Sequence, residues 1–379
     1  MTAGFDVQVR GAGIVGRCLA LALARLGLRV ALRAEAETGA RAGAAGEARE
    51  DVRAYALNAA SVALMRRLKV WDALPAQART AVFDMLVHGD APAAVLDFSA
   101  WQQRVDALAW IVDAAVLERE LEAALRFAPH ITVVDADTDV AAPLTALCEG
   151  KASATRAALG VQFERHSLGH RAIAARLTSR RPHCGMARQW FRAPDVLALL
   201  PFDTPQVGSS YALVWSLPEA RAQELLALDP PAFEQALMQA CGGAVGELEL
   251  ASARAAWPLV QASADRWCGP GWVLLGDAAH VVHPLAGQGL NLGLADVVAL
   301  EGVIAQREPW RALGDEKLLR RYARERVAPT WAMGQLTGGL LELFSRDAPG
   351  LRELRNHGLT LVNRLTPLKR WLTARALDS

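Results

Sequence analysis

The pattern that most restricts the fold lies near the start of the chain. Asp6-Val7-Gln8-Val9-Arg10 runs into Gly11-Ala12-Gly13-Ile14-Val15-Gly16, followed by an Ala/Leu-rich helix from Arg17 to Leu26, a turn at Gly27 and a second short strand from Arg29 to Arg33. A strand, a G-x-G-x-x-G turn and a helix in that order form the dinucleotide-binding fingerprint of an open α/β sheet. Gly11 makes the turn, Gly13 admits a pyrophosphate to the backbone, and Gly16 lets the helix meet the strand. The free amides of the helix start aim partial positive charge at the phosphates.

A second stretch, Gly271 to Leu300, adds to this. Trp272 to Leu275 is a short apolar run ending in Gly276-Asp277. A loop closed by Pro284 follows, and glycines at 287, 289 and 293 lead into an apolar, Ala-rich segment. This reads as buried strand, loop and helix N-terminus, with one acid at the carboxyl end of the strand, where α/β proteins bind ligands. A carboxylate there can accept hydrogen bonds from ligand hydroxyls. Gly287 and Gly289 let something flat or bulky touch the backbone, in front of the positive end of the next helix. Packing alone would not ask for Asp, Pro, Gln and Asn together.

At these residues the chain resembles the flavoprotein aromatic hydroxylases, and most closely their ubiquinone-biosynthesis branch. The match is Gly276-Asp277-Ala278-Ala279-His280, then His283-Pro284-Leu285-Ala286-Gly287-Gln288-Gly289-Leu290-Asn291-Leu292-Gly293 and Asp296. The resemblance implies that Asp277 holds the ribitol of FAD. It also implies that Pro284 to Asn291, with Gly289 and Leu290, lie against the isoalloxazine ring; Pro284, Gly287 and Gln288 are the flavin-loop candidates, and no acid or base for a ring hydroxyl is identified. Arg53, followed by Ala54 to Asn58, matches a family arginine near the flavin. Cys148-Glu149-Gly150-Lys151-Ala152-Ser153-Ala154-Thr155-Arg156 matches a segment that touches the FAD pyrophosphate region and NAD(P)H, with Glu149 in place of an aspartate and Gly150 retained. Ala198 to Phe202, Leu213 to Trp215 and Trp257 to Leu259 resemble further stretches in the same order, so the likeness covers nearly the whole chain.

Some positions depart from the family pattern. The acid expected to hold the adenosine ribose would fall at 34, which is Ala, with Glu35 one step on. Because successive strand side chains face opposite ways, Glu35 serves only if the strand end bulges. Arg10 and Arg33 are unusual on buried parallel strands. They face the nucleotide phosphates, pair with Glu35, or reach solvent at the strand ends. Between Ile131 to Val134 and the Glu149 motif the chain has only Asp135 to Leu147, shorter than the family pattern.

Composition excludes several classes. Forty-one basic and forty acidic residues leave a net charge of +1 in 379 residues, so nothing in the balance suggests nucleic acid. The five cysteines (18, 148, 184, 241, 268) form no Cys-x-x-Cys pair, which argues for small core residues in a reducing compartment rather than a disulfide frame or zinc site. His280 and His283 have no metal-ligand partners at workable spacing, so no metal is expected. No basic leader and no apolar run of roughly 18 residues appears, and the expected location is cytoplasmic.

Elsewhere, Val62, Met65, Leu68 and Trp71 keep helical spacing, Asp84 to Phe98 reads as strand and loop, and Trp110 to Phe127 as a helix with Leu117, Leu121 and Leu125 on one face. Ala172 to Val260 alternates like a sheet, with a helix at Ala220 to Leu226. Trp190, Trp215 and Trp257 are candidates for an aromatic pocket or for the core. His183 reads as a neutral structural histidine. Leu318 to Ser379 is helical by pattern. Within it Leu359, Val362, Leu365, Leu368 and Leu372, flanked by Arg364, Lys369, Arg370 and Arg375, either pack on the cofactor domain or lie on an anionic membrane surface.

The expected architecture is α/β: a Rossmann-like FAD-binding domain with an inserted, mainly antiparallel β-sheet substrate domain, as in p-hydroxybenzoate hydroxylase-like folds. The cofactor domain is assigned 1–75, 105–165 and 263–345, the substrate domain 76–104 and 166–262, and the C-terminal helices 346–379. The resemblance implies reduction of FAD by NAD(P)H, capture of O2 and oxygen transfer to an electron-rich ring, with a polyprenyl phenol of ubiquinone biosynthesis as substrate. A ubiquinone-pathway complex and peripheral contact with the inner face of the membrane are the partners it suggests. Two alternatives stay open at this point: a flavin-binding but catalytically silent paralogue or scaffold, and a nicotinamide dehydrogenase using Gly11 to Gly16 alone.

Overall fold

A computed structural model describes residues 4–34 and 51–345 apart from 90, 92, 93, 137, 139 and 283–287; of 288 and 336–345 it describes the backbone. Val7–Arg10 lies inside a six-stranded sheet ordered Cys268–Gly269, Trp272–Leu274, Leu144–Leu147, Val7–Arg10, Val30–Arg33, Ile131–Val134. Its pairs are parallel except the outermost, Cys268–Gly269 with Trp272–Leu274. Val7, Val9, Val30, Leu32, Leu144 and Val273 are fully buried, as strands covered on both faces require. The helix Ile14–Arg25 packs against Ala114–Arg126 and Gln288–Ala305, and Glu316–Ser345 packs against the latter.

Register decides where the ligand end lies. Arg10 pairs with Leu147, and Leu147 with Leu274, so three adjacent strands finish side by side. The segments that follow them are Gly11–Gly16, Cys148–Arg156 and Gly276–Asp277. Three motifs spread along the sequence therefore meet at the carboxyl edge of one sheet, where open α/β sheets take ligands.

A second sheet runs His280–Val281, Ala255–Ala264, Phe163–Ser179, Ser210–Pro218, Asp195–Phe202, Met186–Arg192, Asp84–His88, Val95–Ser99, with Leu248–Leu250 paired beside Phe163–Ser179. It is antiparallel except where Met186–Arg192 meets Asp84–His88. Period-two alternation gives it two different faces. Ile173, Leu177, Trp190, Leu197, Leu199, Tyr211, Leu213, Trp215 and Leu217 form a core with the helices Glu219–Ala227 and Pro230–Cys241. Ala174, Ala198, Ala212 and Val214, between them in sequence, border a cavity. A three-stranded antiparallel sheet, Ala54–Leu57, Ala109–Asp113 and Arg79–Val82, packs its Ala56, Val82 and Ile111 on Ala187, Leu200 and Phe202 of the large sheet.

Some local expectations change. Ala109–Asp113 is a strand, not the first turn of the next helix. Ile111 and Val112 are β-branched, and Asp113 caps Ala114–Arg126 by accepting from Val116 N at 3.0 Å. Leu117, Leu121 and Leu125 are buried on one face of that helix. The helix begun at Ala59 under the Asn58 cap ends at Arg67; Lys69 turns left-handed at φ 65°, and Trp71 is buried on a separate 3-10 turn. The helix Pro230–Cys241 was not anticipated, although Asp229, which caps Ala232 N at 3.0 Å, and the proline at its first position are a recognisable start. All five cysteines are free, but Cys184 is exposed on a tight turn at φ 51°, not in the core. The stripe Leu359 to Leu372 lies outside the described residues.

Candidate active site

The fingerprint glycines divide into two kinds. A Cβ on Gly11, whose φ is 101°, would lie 2.3 Å from the Cys148 carbonyl oxygen, and one on Gly16 would lie 1.9 Å from the Gly11 carbonyl oxygen. Backbone packing alone demands glycine at both. A Cβ on Gly13 would meet nothing within 4 Å, and the same holds for Gly289 at the start of Gln288–Ala305. Both border one cavity of about 580 Å³, which runs from the fingerprint to the small-residue face of the large sheet. That volume lies inside the range of about 300–1,000 Å³ for small-molecule and cofactor sites.

Asp277 sits on the 3-10 turn Gly276–Ala278, just past the strand Trp272–Leu274, and borders the same cavity. Its carboxylate forms no hydrogen bond or ion pair among the described residues. Burial pushes its carboxyl up, and Lys151 and His280 offset only part of that. An acid left in this condition is stabilised by ligand hydroxyls that donate to it.

The turn that carries Asp277 is braced on both sides. Gly276, at φ 58°, donates its N–H to Asp296 Oδ2 at 2.9 Å. His280 Nε2 lies 2.7 Å from the same oxygen, and Arg326 Nε donates to Oδ1 at 2.8 Å. Burial would raise the fully enclosed Asp296 carboxyl, but His280 and Arg326 outweigh it and hold it below the usual carboxylate range. The His280 ring stacks on Trp267 at 5.0 Å, which matches a structural histidine. From the other motif, Arg156 Nη1 donates to the Ala278 carbonyl at 2.8 Å and Nη2 to the Lys151 carbonyl at 2.9 Å.

Gly150, with φ 75°, and Cys148 border the cavity, whereas the Glu149 carboxylate is engaged beside it. Ser153 Oγ donates to Oε2 at 2.5 Å, Thr155 Oγ1 to Oε1 at 2.7 Å, and Thr155 N to Oε2 at 3.3 Å. Arg10 Nε approaches Oε1 at 2.9 Å as an ion pair without hydrogen-bond alignment. The strand-end arginine thus finds its acid in Glu149. Ala34 N donates to the Val134 carbonyl at 3.3 Å; Glu35 lies outside the described residues.

Arg53 borders the cavity within a polar cluster. It donates to Asp51 at 2.6 and 2.8 Å, to Tyr55 Oη at 3.1 Å and to Glu118 Oε1 at 3.2 Å. Asn291 holds the start of its helix against the small sheet. Its Oδ1 accepts from Asn58 N at 3.1 Å and Ser61 Oγ at 2.7 Å, and its Nδ2 donates to Ala56 O at 2.8 Å. Gly276 and Leu290 complete this side of the wall. Pro284 and Gly287 lie outside the described residues, as does the Gln288 side chain.

On the opposite wall stand Gln189, Val196, Ala198, Leu200, Ser216 and Trp257. Of the three candidate tryptophans, Trp257 borders the cavity; Trp190 stacks on His88 at 5.3 Å and Trp215 packs on Phe233 at 6.1 Å, both in the core. His183 accepts from Gly185 N at 3.0 Å through Nδ1 and lies 3.2 Å from Asp203 Oδ1 through Nε2, so both ring nitrogens have partners on neighbouring turns, and it is not among the residues that line the cavity. Sequence reasoning missed Gln189 and Ser216, which sit in no motif; Tyr55 stands inside the Arg53 stretch without being singled out, and Glu118, expected on the solvated face of its helix, instead borders the cavity and pairs with Arg53.

The fold and cleft together define a protein of the flavoprotein class, built on a dinucleotide-binding sheet with an antiparallel sheet forming the opposite wall of the cavity. Residues 118–337 match the model of the FAD binding domain family. The chain belongs to the FAD-dependent aromatic hydroxylases, and it is a flavoprotein monooxygenase with NAD(P)H as reductant. It is 30% identical to "Ubiquinone hydroxylase UbiL" of Rhodospirillum rubrum, over 99% of this chain and 90% of the relative. With "3-demethoxyubiquinol 3-hydroxylase" of Escherichia coli it shares 29% identity over 96% of each. Among solved structures, pqsL, a probable FAD-dependent monooxygenase from Pseudomonas aeruginosa, superposes with TM-score 0.74 at 21% identity, covering 94% of this chain and 99% of that one. The p-nitrophenol 4-monooxygenase PnpA from Pseudomonas putida gives 0.75 at 17%, covering 99% and 98%. At these identities the two structures speak for the fold.

Proposed function

We propose that this enzyme hydroxylates the ring of a polyprenylated phenol in ubiquinone biosynthesis. The observation that carries the substrate class is the division of charge in the cavity. Its charged lining residues, Arg53, Glu118, Lys151 and Asp277, come from the cofactor side, and the wall formed by the large sheet is uncharged. Arg176, buried in that sheet, is not among the lining residues and donates to the Arg53 carbonyl at 2.7 Å and Asp113 at 3.3 Å. A ring carboxylate would meet no cation there, whereas a neutral, electron-rich ring fits. The names of the two full-length relatives support the pathway.

Bound FAD supplies the electrons from NAD(P)H and the activation of O2 that put one oxygen atom on the ring. The chain's own part is placement and protection. The open backbone at Gly13 receives the pyrophosphate, with the Ile14–Arg25 amides behind it. Asp277 accepts hydrogen bonds from ribitol hydroxyls. Gly289 would leave room for the flat ring of the cofactor, and the amides at Gly289 and Leu290, at the positive end of the helix Gln288–Ala305, would favour negative charge there. The uncharged, mostly apolar sheet wall keeps water from the reacting atoms.

No helix among the described residues is long and apolar enough to cross a membrane. A lipid-tailed ring must nevertheless leave a bilayer, so the reading includes peripheral contact with the inner face of the membrane, supported by the basic amphipathic pattern from Leu359 to Arg375, and association with other enzymes of the pathway. The test is NAD(P)H consumption by the FAD-loaded enzyme with a phenol carrying two isoprene units. Stimulated oxidation and a product heavier by one oxygen atom are expected; oxidation indifferent to every polyprenyl phenol offered overturns the substrate assignment.

A further inference from the structure

The cavity face of the large sheet can be written out row by row from its register. Gln189 pairs with Ala198, Ala198 with Val214, and Val214 with Ala174. In the next row Val196 pairs with Ser216, Ser216 with Ala172, and Ala172 with Trp257. Small apolar side chains fill most of these positions, which is why a cavity exists there. Gln189 and Ser216 break the pattern. They are only 6% and 3% exposed, they border the cavity, and neither side chain forms a hydrogen bond among the described residues.

An amide and a hydroxyl without a protein partner on an otherwise apolar wall are left to water or a ligand in the cavity, whereas an Ala or Leu in either place would need neither. Their polar atoms face the cavity, so a ligand there is the group that satisfies them. Both residues can donate and accept, and neither carries charge. That matches a phenol hydroxyl or ether oxygen and gives no preference to a carboxylate. One strand separates theirs, which puts them roughly 10 Å apart across the sheet, with a further offset of about 7 Å along it. They cannot share one substituent atom; they reach opposite ends of one ring.

Resting on the neutral-ring reading above, we propose that Gln189 and Ser216 are substrate-positioning residues that hold two oxygen substituents of the ring and thereby select the carbon presented for oxygen transfer. Neither belongs to the FAD-contacting set, so each can be altered without removing the cofactor.

The test uses the FAD-loaded enzyme, the two-isoprene phenol, and the variants Gln189→Leu, Ser216→Ala and Ser216→Thr. Binding is read from tryptophan fluorescence, since Trp257 borders the cavity. Turnover is read as product formed per NAD(P)H consumed, and regiochemistry by NMR of the product. Gln189→Leu and Ser216→Ala should keep flavin content and melting temperature, weaken binding about tenfold, lower the product yield per NAD(P)H and mix the ring position. Ser216→Thr, which keeps the hydroxyl, should retain the wild-type position. Wild-type binding with unchanged affinity, yield and position in Gln189→Leu and Ser216→Ala overturns this inference and leaves the phenol reading standing. A wild-type enzyme that neither binds nor turns over the phenol overturns both. If Gln189→Leu melts early, Ser216→Ala against Ser216→Thr decides alone.

Discussion

Gly13 and Gly16 lie three residues apart, yet alanine should do opposite things at the two. At Gly16 the new methyl would stand 1.9 Å from the Gly11 carbonyl oxygen and 3.3 Å from Cys148 Cβ, with no flexible end to move aside. Overpacking of this kind costs about 1–3 kcal/mol or more, so the FAD-free protein should melt several degrees lower. At Gly13 the backbone is ordinary, φ −73° and ψ −178°, and no atom lies within 4 Å of the added methyl. Alanine there should leave the FAD-free protein unchanged or stabilise it by about 0.4–1 kcal/mol through the unfolded chain. The methyl instead enters the cavity, at the place proposed above for the pyrophosphate. Loss of one charge-assisted hydrogen bond, about 1.5–3 kcal/mol, weakens FAD by roughly one to two decades. Melting of the FAD-free protein by circular dichroism, with FAD titration by flavin fluorescence, separates the two effects. Wild-type FAD affinity in Gly13→Ala, or a loss of FAD-free stability equal to that of Gly16→Ala, would refute the division of the glycines.

Asp277→Asn should weaken FAD by one to two decades through the lost charge-assisted bonds while stabilising the FAD-free protein at neutral pH. The folded-state carboxyl is raised, so its unfavourable ionisation sets in as pH rises from the ordinary carboxylate value through the raised one; melts from pH 3 to 8 should show the advantage of Asn vanishing toward low pH. Asp296 has the opposite sign: its lowered carboxyl contributes stability above the ordinary value that is lost as pH falls through the folded one. Asp296→Asn should therefore cost about 3–5 kcal/mol near neutrality, shrinking in acid, and a urea midpoint equal to wild type at pH 7 would contradict it. Asn291→Ala leaves the buried Asn58 N–H, Ser61 hydroxyl and Ala56 carbonyl without their partner, so a loss of about 3 kcal/mol and reduced flavin content are expected, with stability and absorbance measured on the same preparation.

Local chemistry was enough to read from sequence two of the turns that border the cavity. A strand, Gly11 to Gly16 and a helix describe a tight turn at a helix N-terminus, and an acid after an apolar run at Asp277, followed by glycines and a helix start, describes a turn at the carboxyl end of a strand, where ligands bind in open α/β sheets. Alternation within single strands likewise marked the segment from Ala172 to Val260 as sheet. Pairing partners distant in sequence decided the rest. The Glu149 carboxylate closes on Ser153, Thr155 and Arg10 because parallel register brings Arg10 beside Leu147, and Arg156 reaches the Ala278 carbonyl only because a third strand ends there. Trp190, Trp215 and Trp257 look alike in sequence; which of them borders a cavity depends on the face each strand turns to its neighbours. Gln189 and Ser216 are ordinary polar residues in the chain. Only the register across five strands sets them, without a protein partner, among small apolar residues on the wall of the cavity.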